Sequence, residues 1–289
     1  MNRRELLRTI PALAACGAAG APSPARQARL RTALCAYSFR EALKSQKMTY
    51  QDLVRLAVET GIDGLDLTVY WFPSTGDDFL LPLKRLAFRS AVEIYSISVR
   101  TEMTQATPEL QAKEVAEIQR WVDVAERLGA GHIRVFGGRV PKGATEEQAA
   151  GWAAEVLKRS AEYAAAKGVI LGLENHGGVT EKAATIIGII KQVGSPWVGI
   201  NLDTGNFRQD PWRQIEMCLP YAVNFQVKSE MAGEDGKRQP SDWDRLLQMA
   251  AAAGYQGYLA LEYEAKEDPA TAAPRLLGEL RRLARKYSG

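Results

Sequence analysis

The chain has 289 residues, 46% hydrophobic and 25% charged, a composition typical of a globular protein with a substantial core. Its formal charge is +3, and the lysines and arginines are scattered rather than massed, which gives no support to a nucleic-acid partner. Three cysteines do not make a disulfide framework, and Cys35 and Cys218 read as small buried hydrophobes.

The first 25 residues, MNRRELLRTIPALAACGAAGAPSPA, read as an export leader: a basic start, a short apolar stretch of small residues, then a Pro/Ala/Ser linker. Arg3-Arg4 before Leu6-Leu7 resembles a twin-arginine signal, and Leu13-Ala14-Ala15-Cys16 resembles a lipoprotein box that would lipidate Cys16. The expectation is a leader over 1–25, one folded domain over 30–289, and an exported protein, periplasmic or lipid-anchored at the cell envelope. The apolar stretch is too short and proline-interrupted to span a bilayer, so membrane contact is expected only through the anchor. If the leader is instead an amphipathic N-terminal helix, the protein is cytoplasmic.

From residue 31 onward, short β-rich runs alternate with longer helical patterns. Strands are predicted at 31–37, 64–69, 92–99, 132–137, 169–175, 198–204, 222–228 and 258–264. Helices are predicted at 48–60, 109–129, 146–167, 180–193, 241–253 and 271–287, several ending in Gly before the next strand. Eight such units point to an α/β fold, a single-domain (β/α)8 TIM barrel, which takes roughly 250 residues. A doubly wound sheet is the competitor, but no GxGxxG or GxxxxGK[ST] follows the first strand.

In such a barrel the C-terminal ends of the strands face the active-site mouth. Those ends carry Glu174 (LEN), Asp203 (LDT), Gln226 (FQV) and Glu262 (LEY), about one βα unit apart. Side chains alternate faces along a strand. If Glu174 points inward, so do Gly172 and His176; with Gln226 go Asn224 and Lys228; with Glu262 goes Glu264. Asn175 then points away from the axis. The result is a ring of three carboxylates and one amide, with His176 and Lys228 one layer higher. Three carboxylates converging without a cation would repel strongly, and an all-oxygen donor set suits a hard divalent ion, Mg²⁺ or Mn²⁺. The plain alternative is that some of these residues face solvent or form salt bridges. Lys228 would then pair with Glu230 or Glu264.

LENHGG, NLDTGN, QVKSE and GYLALEYE, together with GIDGLDL and IRVFGG, resemble the sugar phosphate isomerase/epimerase superfamily, the xylose isomerase-like (β/α)8 barrels. The likeness runs from residue 31 to the C-terminus. It implies one divalent metal ion, Mn²⁺ or Mg²⁺ by preference with Co²⁺ or Zn²⁺ also accepted, on Glu174, Asp203, Gln226 and Glu262. Gln226 departs from the His most members carry there, although hydroxypyruvate isomerases also use Gln. His176 and Lys228 match substrate-contacting positions, and Glu174 and Glu262 are the implied base and acid.

The chemistry implied is proton abstraction next to a carbonyl on a small keto-sugar or hydroxy-ketone, giving isomerisation or epimerisation. With a leaving group β to the carbonyl, the same enediolate gives lyase or hydrolase chemistry on a 3-keto-glycoside, the alternative suited to an exported enzyme. A non-catalytic sugar-binding barrel is a third reading, but it has no need of two facing carboxylates. A multi-zinc phosphodiesterase is not supported by a chain with two histidines. Around the ring, Trp71, between Tyr70 and Phe72, would stack on a sugar or belong to a hydrophobic cluster. Arg134 and Arg208 are candidate hydroxyl or anion contacts, and His132, opening its strand, is read as structural. Homo-oligomerisation is left open.

Overall fold

Each β-rich run alternates a residue that packs outward on helices with one that points along the barrel axis, and eight of them close into a ring. The computed structural model describes residues 27–233 and 235–288. Its strands are β1 (Arg29–Cys35), β2 (Gly64–Thr68), β3 (Glu93–Ser98), β4 (His132–Phe136), β5 (Ile170–Glu174), β6 (Val198–Asp203), β7 (Ala222–Lys228), β8 (Glu230–Ala232), β9 (Arg238–Pro240) and β10 (Gln256–Glu262). The barrel order is β1-β10-β7-β6-β5-β4-β3-β2, all parallel, while β8 and β9 form a separate antiparallel pair. The predicted TIM barrel is therefore the fold. The leader over 1–25, with Arg3, Arg4 and Cys16, lies outside the described residues.

The helices are α1 (Arg40–Lys44), α2 (Tyr50–Thr60), α3 (Asp77–Arg89), α4 (Pro108–Leu128), α5 (Glu146–Ala166), α6 (Ala183–Val193), α7 (Pro211–Cys218), α8 (Trp243–Ala252) and α9 (Pro269–Tyr287). Local chemistry fixes their starts: the Thr49 and Thr145 side chains each accept a backbone N–H three residues on and close capping boxes with Asp52 and Gln148. Among the described residues no helix is long and apolar enough to cross a membrane.

Three helices escape the sequence pattern. Pro82 lies inside α3 and interrupts its helical signal; α7 opens on Pro211 and has only eight residues; α1 has five. Strands β1 and β10 each begin and end two residues earlier than predicted. Ser38 accounts for the early ends: its hydroxyl donates to Leu261 O (3.2 Å) and accepts from Tyr263 N (2.9 Å), drawing both chains out of the sheet just after Cys35 and Glu262.

Outward-facing Leu65, Leu67, Ile133, Leu171, Leu173, Ile200 and Leu202 are fully buried between sheet and helices. The axis, by contrast, is lined by buried Asp66, Ser96, Ser98, His132, Asn201 and Asn224. Barrel interiors are ordinarily layers of branched apolar side chains. Here the polar filling continues down from the mouth. His132 lies in it as expected of a structural residue: Nδ1 is 2.8 Å from Ser96 Oγ, and burial, then Arg134, push the ring down to about 3, so it is neutral at ordinary pH. Gly172 makes room for it, since a Cβ there would lie 2.2 Å from His132 Nε2.

Candidate active site

Glu174, Asp203, Lys228 and Glu262 are the last residues of β5, β6, β7 and β10, and all four are buried. Because β7 runs through to Lys228, the expected ring is tilted. Gln226 pairs in register with Asp203 on one side and Ala260 on the other, and Lys228 stands level with Glu262 rather than a layer above it.

On one side of the ring, Glu174 Oε2 is 3.1 Å from Arg134 Nε, and Oε1 is 2.7 Å from His176 Nδ1. Asn206 Nδ2 also donates to Oε1 (3.2 Å). Arg134 is a fixed cation: its Nη1 donates to Val99 O (3.0 Å) and Tyr70 Oη (3.2 Å), and its guanidinium lies 4.0 Å from the Phe136 ring centroid. Burial works against its charge, but Glu174 and further acids hold it fully protonated. His176 is half-exposed and stacks on Phe136 (4.1 Å between centroids). Burial opposes its charge too, yet the Glu174 hydrogen bond and carboxylate outweigh that and raise its pKa above the usual imidazole value.

On the other side, Lys228 Nζ is 2.5 Å from Glu262 Oε1 and 3.3 Å from Asp203 Oδ2, and it also bonds Glu264. Of the two partners the sequence offered, Glu264 is the one taken, while Glu230 faces Arg238. Lys228 overcomes the burial of Glu262 and holds its carboxyl below the usual range. Asp203 behaves differently: burial, with Glu174 and Glu262 nearby and only partial relief from Lys228, pushes it up to about 7. Its Oδ1 accepts Gly205 N (2.8 Å), but Oδ2 has no hydrogen bond.

Gln226 sits lower, with Oε1 accepting from Asn201 (2.9 Å) and Nε2 donating to Asp66 (3.1 Å) and the Cys35 sulfur (3.5 Å). Asn175 points out of the ring as expected, yet it clamps the site: its amide exchanges two hydrogen bonds with the Asp203 backbone, 2.8 and 2.9 Å. Asp66 and Asn201 escaped the sequence reasoning. Asn201 was findable, since it lies two residues before Asp203 and shares its face. Asp66, between Leu65 and Leu67, alternates in the same way.

Trp71 and Arg208 stay at the rim. Trp71 stacks on Tyr37 (6.0 Å) and meets Tyr70 edge-on (5.7 Å), so Tyr70, not Trp71, reaches the inner site through Arg134. Phe72 packs away from it, on Tyr50 and Phe79. Arg208 is exposed and lines a hollow of about 650 Å³ with His176, Glu181 and Asn206; His176 also borders a second of about 420 Å³. These volumes suit a small, polar ligand.

Four carboxyl groups (Asp66, Glu174, Asp203 and Glu262) are buried here against two buried cations, Arg134 and Lys228. That imbalance, the Asp203 Oδ2 that has an ion-pair contact but no hydrogen bond, and the oxygen-only donors fit a hard divalent ion. As the side chains stand, no three His, Cys, Asp or Glu groups among the described residues converge closely enough to hold one, because Glu174 is turned onto Arg134 and Glu262 onto Lys228.

A closed parallel barrel with an acidic ring at the strand ends defines the class. The xylose isomerase-like TIM barrel model matches residues 54–284, and the chain belongs to that family. A Mus musculus protein named "Putative hydroxypyruvate isomerase" is 28% identical over 189 residues, 56% of this chain and 64% of that protein. The chain thus aligns with under two thirds of that relative's length. Solved structures share the fold, among them these two. IOLI with a binding zinc atom matches with TM-score 0.73 at 14% identity, over 89% of this chain and 99% of that one. The 3-keto-D-glucoside 4-epimerase YcjR from E. coli matches with TM-score 0.70 at 16% identity, over 89% and 100%.

Proposed function

We propose that the protein is a divalent-metal-dependent isomerase or epimerase that moves a proton at the carbon next to a carbonyl of a keto-sugar or related hydroxy-ketone. The observation that carries this is the pair Glu174 and Glu262, two buried carboxylates at strand ends on either flank of Asp203, with His176, bonded to Glu174, bordering hollows of about 650 and 420 Å³. The names of the mouse and E. coli relatives, an isomerase and an epimerase, support it.

A divalent ion held by Glu174, Asp203, Gln226 and Glu262 would supply Lewis-acid polarisation of the substrate oxygens. The chain's own residues do the rest. Glu174 and Glu262 take and return the proton on the two flanks of the reacting carbon. Return to the neighbouring carbon isomerises the substrate, and return to the same carbon epimerises it. His176, on Glu174 Oε1, passes protons between that carboxylate and the mouth. Arg134 fixes the orientation of Glu174 and stabilises negative charge developing beside it. Tyr70, packed with Tyr37 and Trp71, braces Arg134 through its hydroxyl.

A second reading, β-elimination from a 3-keto-glycoside, uses the same two carboxylates. It draws support from the keto-glucoside named for YcjR. Protein purified without chelator is expected to hold about one divalent ion per chain by elemental analysis, and Asp203→Ala, which removes the least satisfied oxygen of the ring, is expected to hold none. Full activity of a chelated, metal-free preparation overturns the metal-dependent reading.

A further inference from the structure

The buried cations of the ring are of two kinds. Arg134 is locked by a carbonyl, a phenol, an aromatic face and Glu174. The Lys228 backbone is pinned, its N–H donating to Thr204 Oγ1 (2.9 Å) and its carbonyl accepting from Trp243 Nε1 (2.8 Å), while its ammonium is held by carboxylates alone. Gly205 leaves the channel its stem follows, since a Cβ there would lie 2.6 Å from Lys228 Cγ. Beyond that channel the ammonium is a compact charge on a flexible stem with rotatable donors, unlike a guanidinium fork.

Its three carboxylate partners form a graded path outward. Asp203 is fully enclosed, the Glu262 side chain is 10% exposed and that of Glu264 is 33% exposed. Asp203 and Glu262 are also ring oxygens that an incoming ion would need, and Glu264 is not.

We propose that Lys228 is a displaceable internal cation: its ammonium closes the carboxylate ring in the metal-free protein, and a divalent ion entering the ring pushes it from Asp203 and Glu262 onto Glu264, toward the substrate. This rests on the metal-site reading above. It follows from the geometry that the ion and the ammonium compete for the same two carboxylates. The four-to-two excess of buried carboxyls over buried cations lets the ion enter while Lys228 stays within the protein. Metal entry then both frees Asp203 and Glu262 from the lysine and delivers a positive charge to the mouth.

The test is calorimetric titration of the full chain, freed of metal, with Mn²⁺ alone, alongside thermal unfolding with and without Mn²⁺. Lys228→Met is expected to bind Mn²⁺ about 5- to 150-fold more tightly than the wild type, the range of an ordinary coupling between two sites. Its metal-free form should melt lower than the wild type, and saturating Mn²⁺ should raise its Tm more than it raises the wild-type value. Glu264→Gln, a change at the rim that spares the core, is expected to weaken Mn²⁺ binding several-fold by removing the lysine's landing site. Equal or weaker Mn²⁺ binding by Lys228→Met, or unchanged binding by Glu264→Gln, overturns the displacement. If neither the wild type nor Lys228→Met binds Mn²⁺, Mg²⁺ or Zn²⁺, the metal-site reading itself fails and takes the proposal with it.

Discussion

Glu174→Gln is expected to lower kcat by about 10²- to 10⁴-fold, the usual contribution of a positioned general acid or base. The amide keeps the shape of the side chain, and its one acceptor oxygen can keep one of the two bonds that Asn206 now donates to Oε1 and Asn201 to Oε2. What it loses is the ability to take a proton from carbon and the charge that raises the His176 pKa. A residue that touches the reacting carbon only in the transition state lowers kcat and kcat/KM together. If Glu174 served only to neutralise Arg134, the variant would lose stability while kcat, measured well below its melting point, stayed within tenfold. Steady-state kinetics on a turned-over keto-sugar, paired with a melting curve, separates the two.

The largest loss of stability is expected from Arg134→Met, about 3–5 kcal/mol by urea denaturation. Both members of the Arg134–Glu174 pair are almost wholly enclosed, with side chains 4% and 3% exposed, so solvent screens little of what is lost. Removing the guanidinium leaves the Glu174 carboxylate without its buried counter-charge, and Val99 O loses a donor. The second half of the test is Arg134→Met/Glu174→Leu, which removes both charges and should recover most of the loss, since apolar replacement of a buried pair is often close to neutral. A cost under about 1 kcal/mol for the single variant would mean that the pair is solvated in a way the barrel geometry does not allow.

The ring was legible because it obeys local rules. Strand alternation and position at the C-terminal end are enough to place Glu174, Asp203 and Glu262, and the same parity removes Asn175 from the ring. The sequence does not carry how far each strand runs. Ser38 ends β1 and β10 together through bonds to Leu261 and Tyr263, more than two hundred residues away, and although β7 runs over 222–228 as predicted, it is its register against β10 that brings Lys228 level with Glu262. Partner choice is equally nonlocal. That Arg134 would take Glu174, or that Gln226 would reach Cys35 and Asp66 across the axis, depends on barrel closure rather than on any spacing along the chain. The polar filling beneath the ring, from Asp66 to Asn224, follows the strand period, but nothing in that period says that hydrophilic residues will occupy the axis. Trp71 shows the opposite error: an aromatic beside a strand end suggests a stacking platform, yet Tyr70 holds the inner position and Trp71 backs onto Tyr37.

The central claim is that this mouth exchanges a proton on carbon. The most direct measurement is incubation of the metal-loaded protein with keto-sugars in D₂O, 3-keto-glycosides included, followed by NMR of the recovered sugar. Deuterium should appear at the carbon next to the carbonyl, and Glu174→Gln and Glu262→Gln should each slow its appearance. Turnover of any such substrate with no deuterium gained at that carbon would contradict the account.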